Sequence, residues 1–299
     1  MTEGTGAWPT GLIQVAPGAY AYIQATGAGG VSNAGLIVGP DGLIVIDTLA
    51  TTPMNLAFLG SIREVTGLPV THLFITHHHP DHVQGTQYFL PTNVICHPAC
   101  REEIVRNGPD AHKKWAKLRP HFAKDVVGIR ICVPSQTLEG KTTFYLGKRR
   151  VEIMHLGAAH TYGDLMAYLP EEKLLFAGDL VFYKVAPWVI HGYYGGWIKV
   201  VDRILAMDVE TIVPGHGPIA GKAELAEFRD CLVTVYEGAR RGFEGGLSEQ
   251  EAFAAIDLRR FSDWIHPERH KDNLVRAYGE FRGEVTEKAA DSKRWGELA

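Results

Sequence analysis

The sequence predicts an α/β fold in which helices cover β-sheets, followed by a helical C-terminal extension. Two observations carry that expectation. Short apolar runs ("THLFITH", "TNVICH", "VEIMHLG", "KLLFAGD", "TIVPGHG") alternate with longer polar or helically patterned segments, the arrangement expected of sheets packed under helices. From about residue 222 the pattern becomes wholly helical.

Taken in order, residues 12–48 read as strands joined by glycine-rich turns, and "GPDG" between two apolar runs marks a hairpin. "ATGAGGVSN" holds too much glycine for a strand interior and reads as a mobile loop. "NLAFLGSIREVTG" has helical spacing and ends in glycine. Residues 98–136 mix charge with a helical pattern and are expected over one sheet edge. The basic stretch "KTTFYLGKRR" sits at a strand turn and reads as a solvated hairpin. Beyond it, "AELAEFRDCLVTVYEGARRGF", "SEQEAFAAI" and "RHKDNLVRAYGEFRGEVTEK" are helical. Residues 1–221 are therefore expected to form one domain, with 222–299 an extension of it rather than a separate unit. No repeat of 20–50 residues and no low-complexity tract interrupts this order.

Bulk properties exclude several classes. At 299 residues, 45% hydrophobic and 21% charged, the chain has an ordinary globular composition. A net charge of −4 argues against a general affinity for nucleic acid, which needs a basic face. The N-terminal "MTEGTGAWPTG" lacks the basic and apolar regions of a signal peptide, and no run of 18 apolar residues exists to span a membrane. The expected location is the cytoplasm, with Cys96, Cys100, Cys132 and Cys231 reduced. Cys96 and Cys100 flank His97, but Cys96 ends an apolar run and both read as buried thiols rather than ligands.

The chemistry is concentrated at the ends of the apolar runs. His77, His78, His79, Asp81 and His82 fall within six positions directly after "THLFIT". His160 follows "VEIMHLGAA", Asp179 closes "KLLFAGD" and His216 closes "TIVPGH". Strand ends of α/β sheets are where loops carry polar groups on a rigid base. In an extended segment residues two apart point the same way, so His77 and His79 can hold one ion while His78 points elsewhere as a structural residue. Pro80 suits a first helical turn and would turn Asp81 and His82 toward a second position.

"THHHPDH" resembles the HxHxDH motif of the metallo-β-lactamase fold superfamily, and "GAAHTYGD", "FAGDLVF" and "VPGHGP" match its remaining motifs in order over roughly residues 12–220. The resemblance implies an αββα sandwich of two facing sheets, with residues 1–221 as the catalytic domain and a binuclear metal site along one edge. By position, His77, His79 and His160 correspond to ligands of one ion. Asp81, His82 and His216 correspond to ligands of the other, and Asp179 bridges both. An imidazole and carboxylate set suits two divalent ions, zinc first, with iron and manganese left open. A water between two close cations loses its proton near neutral pH, and Asp81 is placed to hold that nucleophile and pass its proton to the leaving group. Asp164, in "HTYGD", reads equally as a partner of the ligands or as a turn residue.

Departures from subgroups of the superfamily narrow the reading. β-Lactamases of one group carry cysteine where Asp179 stands, another group lacks the bridging aspartate, and flavin-linked di-iron members replace His79 with glutamate. What remains resembles glyoxalase II, lactonase and arylsulfatase-like hydrolases. The expected function is metal-dependent opening of an ester, lactone, amide or thioester of a small, fairly apolar molecule. A mononuclear iron persulfide-type dioxygenase is the alternative, and an RNA nuclease of the same fold a more distant one. The aromatic run "LVFYKVAPWVIHGYYGGW" after Asp179 supplies Tyr183, Trp188, His191, Tyr193 and Tyr194 as candidate substrate-binding residues. His191 or one of these tyrosines is expected to donate to the oxyanion. The C-terminal helices are expected to cap the pocket, to form a homodimer, or both. Trp264, His266 and His270 read as structural or interface residues.

Overall fold

The computed structural model describes residues 8–26 and 29–288. One sheet begins with β1 (Gly11–Ala16), β2 (Ala19–Ile23), β3 (Ala34–Val38) and β4 (Leu43–Ile46), paired antiparallel. The β3–β4 connection is the "GPDG" hairpin, closed by a bond from Gly39 N to Gly42 O of 2.9 Å. Helix α1 (Thr52–Val65) starts at a Thr51 cap with proline inside its first turn, and returns the chain to β5 (Val70–Phe74), parallel to β4. A single helical turn, α2 (Pro80–Val83), precedes β6 (Asn93–Cys96). Helices α3 (Pro98–Asn107) and α4 (Ala111–Leu118) follow, and the two-residue β7 (Gln136–Thr137) ends the first sheet in the order β1 to β7.

The second sheet opens with the hairpin of β8 (Lys141–Leu146) and β9 (Arg149–Met154), which is the basic stretch read as a solvated turn. β10 (Met166–Leu169), β11 (Leu174–Phe182), helix α5 (Tyr194–Ala206) and β12 (Thr211–His216) complete it in the order β12-β11-β10-β9-β8. Helices α6 (Lys222–Glu244), α7 (Glu249–Ala254) and α8 (Arg269–Phe281) form the extension. α8 stops short of the predicted helical stretch because Gly283 takes a left-handed backbone at φ 70°.

Three apolar clusters define the layers. Ile44, Ile46, Phe74 and Ile95 of the first sheet meet Val151, Ile153, Leu169, Phe176 and Val213 of the second. Phe58, Ile62 and Ile104 cover the outer face of the first sheet from α1 and α3. Leu180, Trp197, Phe228, Leu232, Leu274 and Tyr278 join β11, α5, α6 and α8 on the outer face of the second. This is an αββα sandwich, and the C-terminal helices share its core. Among the described residues no helix is long and apolar enough to cross a membrane. Cys96 and Cys100 are fully buried free thiols, and His97 caps α3 by accepting from Ala99 N at 3.2 Å.

Candidate metal centre

The strand ends meet along one edge of the sandwich. Ligand atoms of His77, His79, His160 and Asp179 lie within 4.8 Å of one another, as do those of Asp81, His82 and His216. Asp179 stands between the two groups. Its Oδ2 is 3.2 Å from His160 Nε2 and 3.4 Å from His216 Nε2, and its Oδ1 is 3.1 Å from His82 Nε2. His216 Nε2 is also 3.4 Å from Asp81 Oδ2. The sequence expected Asp179 to close a strand, but it lies inside the nine-residue β11, where pairing with β12 shifts register on both sides of the neighbouring Gly178. The irregular pairing turns the carboxylate to the edge. β12 contributes room as well, since a Cβ on Gly215 would collide with the Asp179 carboxylate.

A second layer fixes the imidazoles. Asp47 directly follows β4 in a left-handed conformation at φ 61°, one that aspartate tolerates better than most residues. Its Oδ1 accepts from Thr76 N at 2.7 Å, and its Oδ2 accepts from Thr76 Oγ1 at 2.7 Å and from His82 Nδ1 at 2.8 Å. With its proton given to Asp47, the Thr76 hydroxyl accepts from His77 Nδ1 at 3.0 Å. His216 Nδ1 donates to Val31 O at 3.0 Å. The network thus assigns the Nε2 lone pairs of His77, His82 and His216 to the cluster. His79 presents Nδ1, 2.9 Å from His160 Nε2, while its Nε2 lies 2.9 Å from His191 Nδ1.

His77 Nε2, His82 Nε2 and Asp179 Oδ1 are buried without a hydrogen bond of acceptable geometry, close as they are. Converging buried nitrogen and oxygen atoms without hydrogen-bond partners are what a cation would satisfy, so the donor set fits metal ions. Burial pushes His77 and His79 well below the usual histidine range, and His160 down to about 4. At neutral pH these rings are uncharged donors, the form a metal requires. His82 differs: burial opposes its charge, but Asp179 and Asp47 raise it well above the usual value.

The loop read as mobile is, in its described part, tied to this site. Ser32 and Asn33 are buried; Ser32 Oγ donates to Asp81 O at 2.6 Å, and Asn33 Nδ2 donates to Pro214 O at 2.9 Å and Gly217 O at 2.8 Å. Gly27 and Ala28 lie outside the described residues. Asp164 accepts from Thr161 N and Oγ1 at 2.8 and 2.6 Å, so it shapes the turn after His160. His78 is buried, with its ring centre 5.5 Å from that of His191, and forms a third grouping with His79 and His191.

The aromatic run is held from outside by one face of α8. Arg269 Nη1 donates to Ala186 O, Asp272 accepts from Trp188 Nε1, and Asn273 bonds Pro187 O and Val189 N. Arg276 donates to Gly192 O, and Glu280 accepts from Tyr194 N and Gly195 N at the start of α5. Tyr194 corrects the sequence reading: it is fully buried, its hydroxyl donates to Leu232 O at 3.0 Å, and it belongs to the core. Its aromatic ring is more useful as packing than as a pocket wall. Tyr183, Trp188, His191 and Tyr193 are half-buried. Trp264 and His270 are buried, and His266 Nε2 accepts from Gly29 N at 3.0 Å.

Two facing sheets, helices outside them, and clustered histidines and aspartates at the strand ends define an αββα protein able to bind metal ions. The sequence profile of the metallo-beta-lactamase superfamily matches residues 27–216, and the chain belongs to that superfamily. It is 20% identical over 262 residues to a linear primary-alkylsulfatase of Pseudomonas sp. (strain ATCC 19151), covering 75% of this chain and 49% of the relative. It is 26% identical over 215 residues to an acyl-coenzyme A thioesterase of Gallus gallus, covering 66% and 76%. The solved structure of a stereoselective inverting sec-alkylsulfatase from Pseudomonas sp. matches with a TM-score of 0.72 at 18% identity, over 91% of this chain and 50% of that one. The chain spans about half the length of either alkylsulfatase, and the structural likeness shows the shared fold. Its superfamily relatives are hydrolytic metalloenzymes.

Proposed function

We propose that this protein is a binuclear metal-dependent hydrolase that opens an ester, lactone, amide or thioester of a small, fairly apolar molecule. The observation that carries the reading is the Asp179 carboxylate set between two groups of donors, with its Oδ1 and the facing His77 and His82 nitrogens unpartnered. His77, His79 and His160 would hold one ion, Asp81, His82 and His216 the other, and Asp179 both. Zinc suits this set, with iron or manganese also accommodated. Bound ions supply Lewis acidity and an acidified water.

The rest is performed by the chain. Asp47 and Thr76 hold Nδ1 of His82 and His77 as the protonated nitrogens, which turns Nε2 of each ring toward the cluster. Asp81 is fixed through its own backbone by Ser32, which leaves its carboxylate to the cluster, where an oxygen not used on the ion would hold a proton in transit to the leaving group. Trp188 and His191 are the wall residues we assign to the substrate. The four free thiols support the cytoplasmic reading.

The test is product analysis on zinc- or manganese-loaded protein with an aryl ester, a lactone, acyl-coenzyme A and glutathione thioesters, an alkyl sulfate and a phosphodiester. Chelator-sensitive turnover of the carbonyl compounds is the expected result. Turnover of the alkyl sulfate alone would move the substrate class toward that of the sulfatase relatives. Silence across the panel, with oxygen uptake by iron-loaded protein, would overturn hydrolysis in favour of dioxygenase chemistry.

A further inference from the structure

Two guanidinium groups converge on the β2–β3 loop beside the cluster. A Cβ placed on Gly29 would lie 3.1 Å from Arg269 Nη2 and 3.5 Å from Arg119 Nη2, so one added atom would touch both. Arg119, at the end of α4, donates Nε–H to Gly29 O at 3.3 Å and lies 5.3 Å from the Trp115 ring centre. Arg269, the first residue of α8, is only 7% exposed. It donates Nη1 to Ala186 O at 3.1 Å and lies 5.3 Å from the Trp188 ring centre. Each cation therefore uses one N–H on a backbone carbonyl and rests on an aromatic face.

Neither has a carboxylate within ion-pair distance among the described residues. Glu268 pairs with His266 Nδ1 at 2.8 Å, and Asp272 accepts from Trp188 Nε1. Burial pushes Arg269 down to about 10, with Asp81 and Asp179 working against that and Arg119 reinforcing it. Burying an unpaired guanidinium costs several kcal/mol on the order-of-magnitude scale for buried ions, and aiming a second cation at the same point adds repulsion. A purely structural tie for the loop would need neither charge. The loop between them runs directly into the cluster, through Val31 O to His216 and Ser32 Oγ to Asp81 O.

We infer that Arg119 and Arg269 form a clamp for an oxyanion carried by the substrate, so that the enzyme selects anionic substrates over neutral ones. Carboxylate, sulfate and phosphate share the planar or tetrahedral oxygen geometry that guanidinium N–H pairs recognise. Trp188 then serves both the clamp and the substrate wall. The kinetic consequence rests on the hydrolase reading; the binding consequence does not.

Octanesulfonate titrated into metal-free protein, read by tryptophan fluorescence and by calorimetry, tests binding alone. The expected result is saturable binding that Arg119→Gln and Arg269→Gln each weaken tenfold or more, with octanol failing to compete. Arg119 is half-buried at a helix end, so its variant reports on the clamp even if Arg269→Gln folds poorly. With metal-loaded protein, mono-4-nitrophenyl succinate is compared with 4-nitrophenyl butyrate, and 4-nitrophenyl sulfate is assayed beside them. A kcat/KM ratio favouring the succinate tenfold or more, falling toward one in both variants, locates the charge remote from the bond broken. Turnover of the sulfate ester that both variants reduce locates it at that bond. Absent sulfonate binding, or binding that both variants leave unchanged, overturns the clamp. Sulfonate binding of the expected kind with no turnover of these esters or of the lactone and thioesters above leaves the clamp standing and removes the hydrolase reading.

Discussion

The strand-end edge and helix α8 serve the same site by opposite means. The edge supplies every donor, from strands β11 and β12 and from the short segments that follow β5 and β9. α8 supplies none, yet Arg269, Asp272, Asn273, Arg276 and Glu280 lie along one helical face and bond one continuous stretch from Ala186 to Gly195, the loop after β11 and the start of α5. The spacing follows the three- and four-residue steps of one α-helix face. The donors define what can be bound, and the helix defines the shape of the wall beside them. Changes on the edge should therefore alter metal and chemistry together, whereas changes on α8 should alter stability and substrate handling with the metal retained.

The largest effect belongs to Asp179→Ala. It removes the one carboxylate common to both groups, and metal content and hydrolysis should both collapse while the circular dichroism spectrum stays that of the parent. Full activity with two metals per chain would break the bridging role. Asp47→Asn is the next step down. Asparagine tolerates the left-handed backbone, so the fold should survive while the acceptor for His82 Nδ1 and Thr76 Oγ1 is weakened. Loss of an outer partner of a metal ligand lowers affinity roughly 10–100-fold, which competition against a chelator would read. An unchanged affinity would mean that the Thr76–Asp47 network only braces β4.

These two regions also differ in how far the sequence reveals them. His77, His79, Asp81 and His82 are neighbours, so their geometry follows from local backbone rules, and His160, Asp179 and His216 announce themselves by ending or interrupting apolar runs. Asp47 carried the same signal, an aspartate closing "LIVID", and should have been read with them. Ser32 and Asn33 were hidden by composition. A glycine-rich stretch suggests motion, but its small residues are what let the chain press against β12 and exchange bonds with it. The α8 contacts were illegible for a plainer reason. Asn273, Arg276 and Glu280 meet partners 84 to 86 positions away, and a helix pattern does not say what its polar face will touch. Tyr194 failed in the same way, because aromatic residues are used by cores and pockets alike.

The smallest and most diagnostic effect concerns Glu280. Its carboxylate accepts from Tyr194 N and Gly195 N, with Tyr236 and Arg276 also facing it, yet burial outweighs these partners and raises it to about 7. A raised folded-state pKa means the folded protein binds the proton more tightly than the unfolded chain does. The stability linked to that proton is fully present below the ordinary glutamate range near 4.5, and is lost as pH rises toward 7. The loss is at most about 3 kcal/mol on the usual conversion. Glu280→Gln keeps an acceptor but cannot ionise, so its Tm relative to the parent should rise between about pH 4.5 and pH 7 and level off above that. Metal content should stay equal in the two proteins across that range, because none of the donors is touched. A Tm difference that does not vary with pH would show that Glu280 is solvated and that α8 rests on the loop without holding it. A metal content that falls with the substitution would break the division of labour itself, since the helix would then be setting the donors as well as the wall.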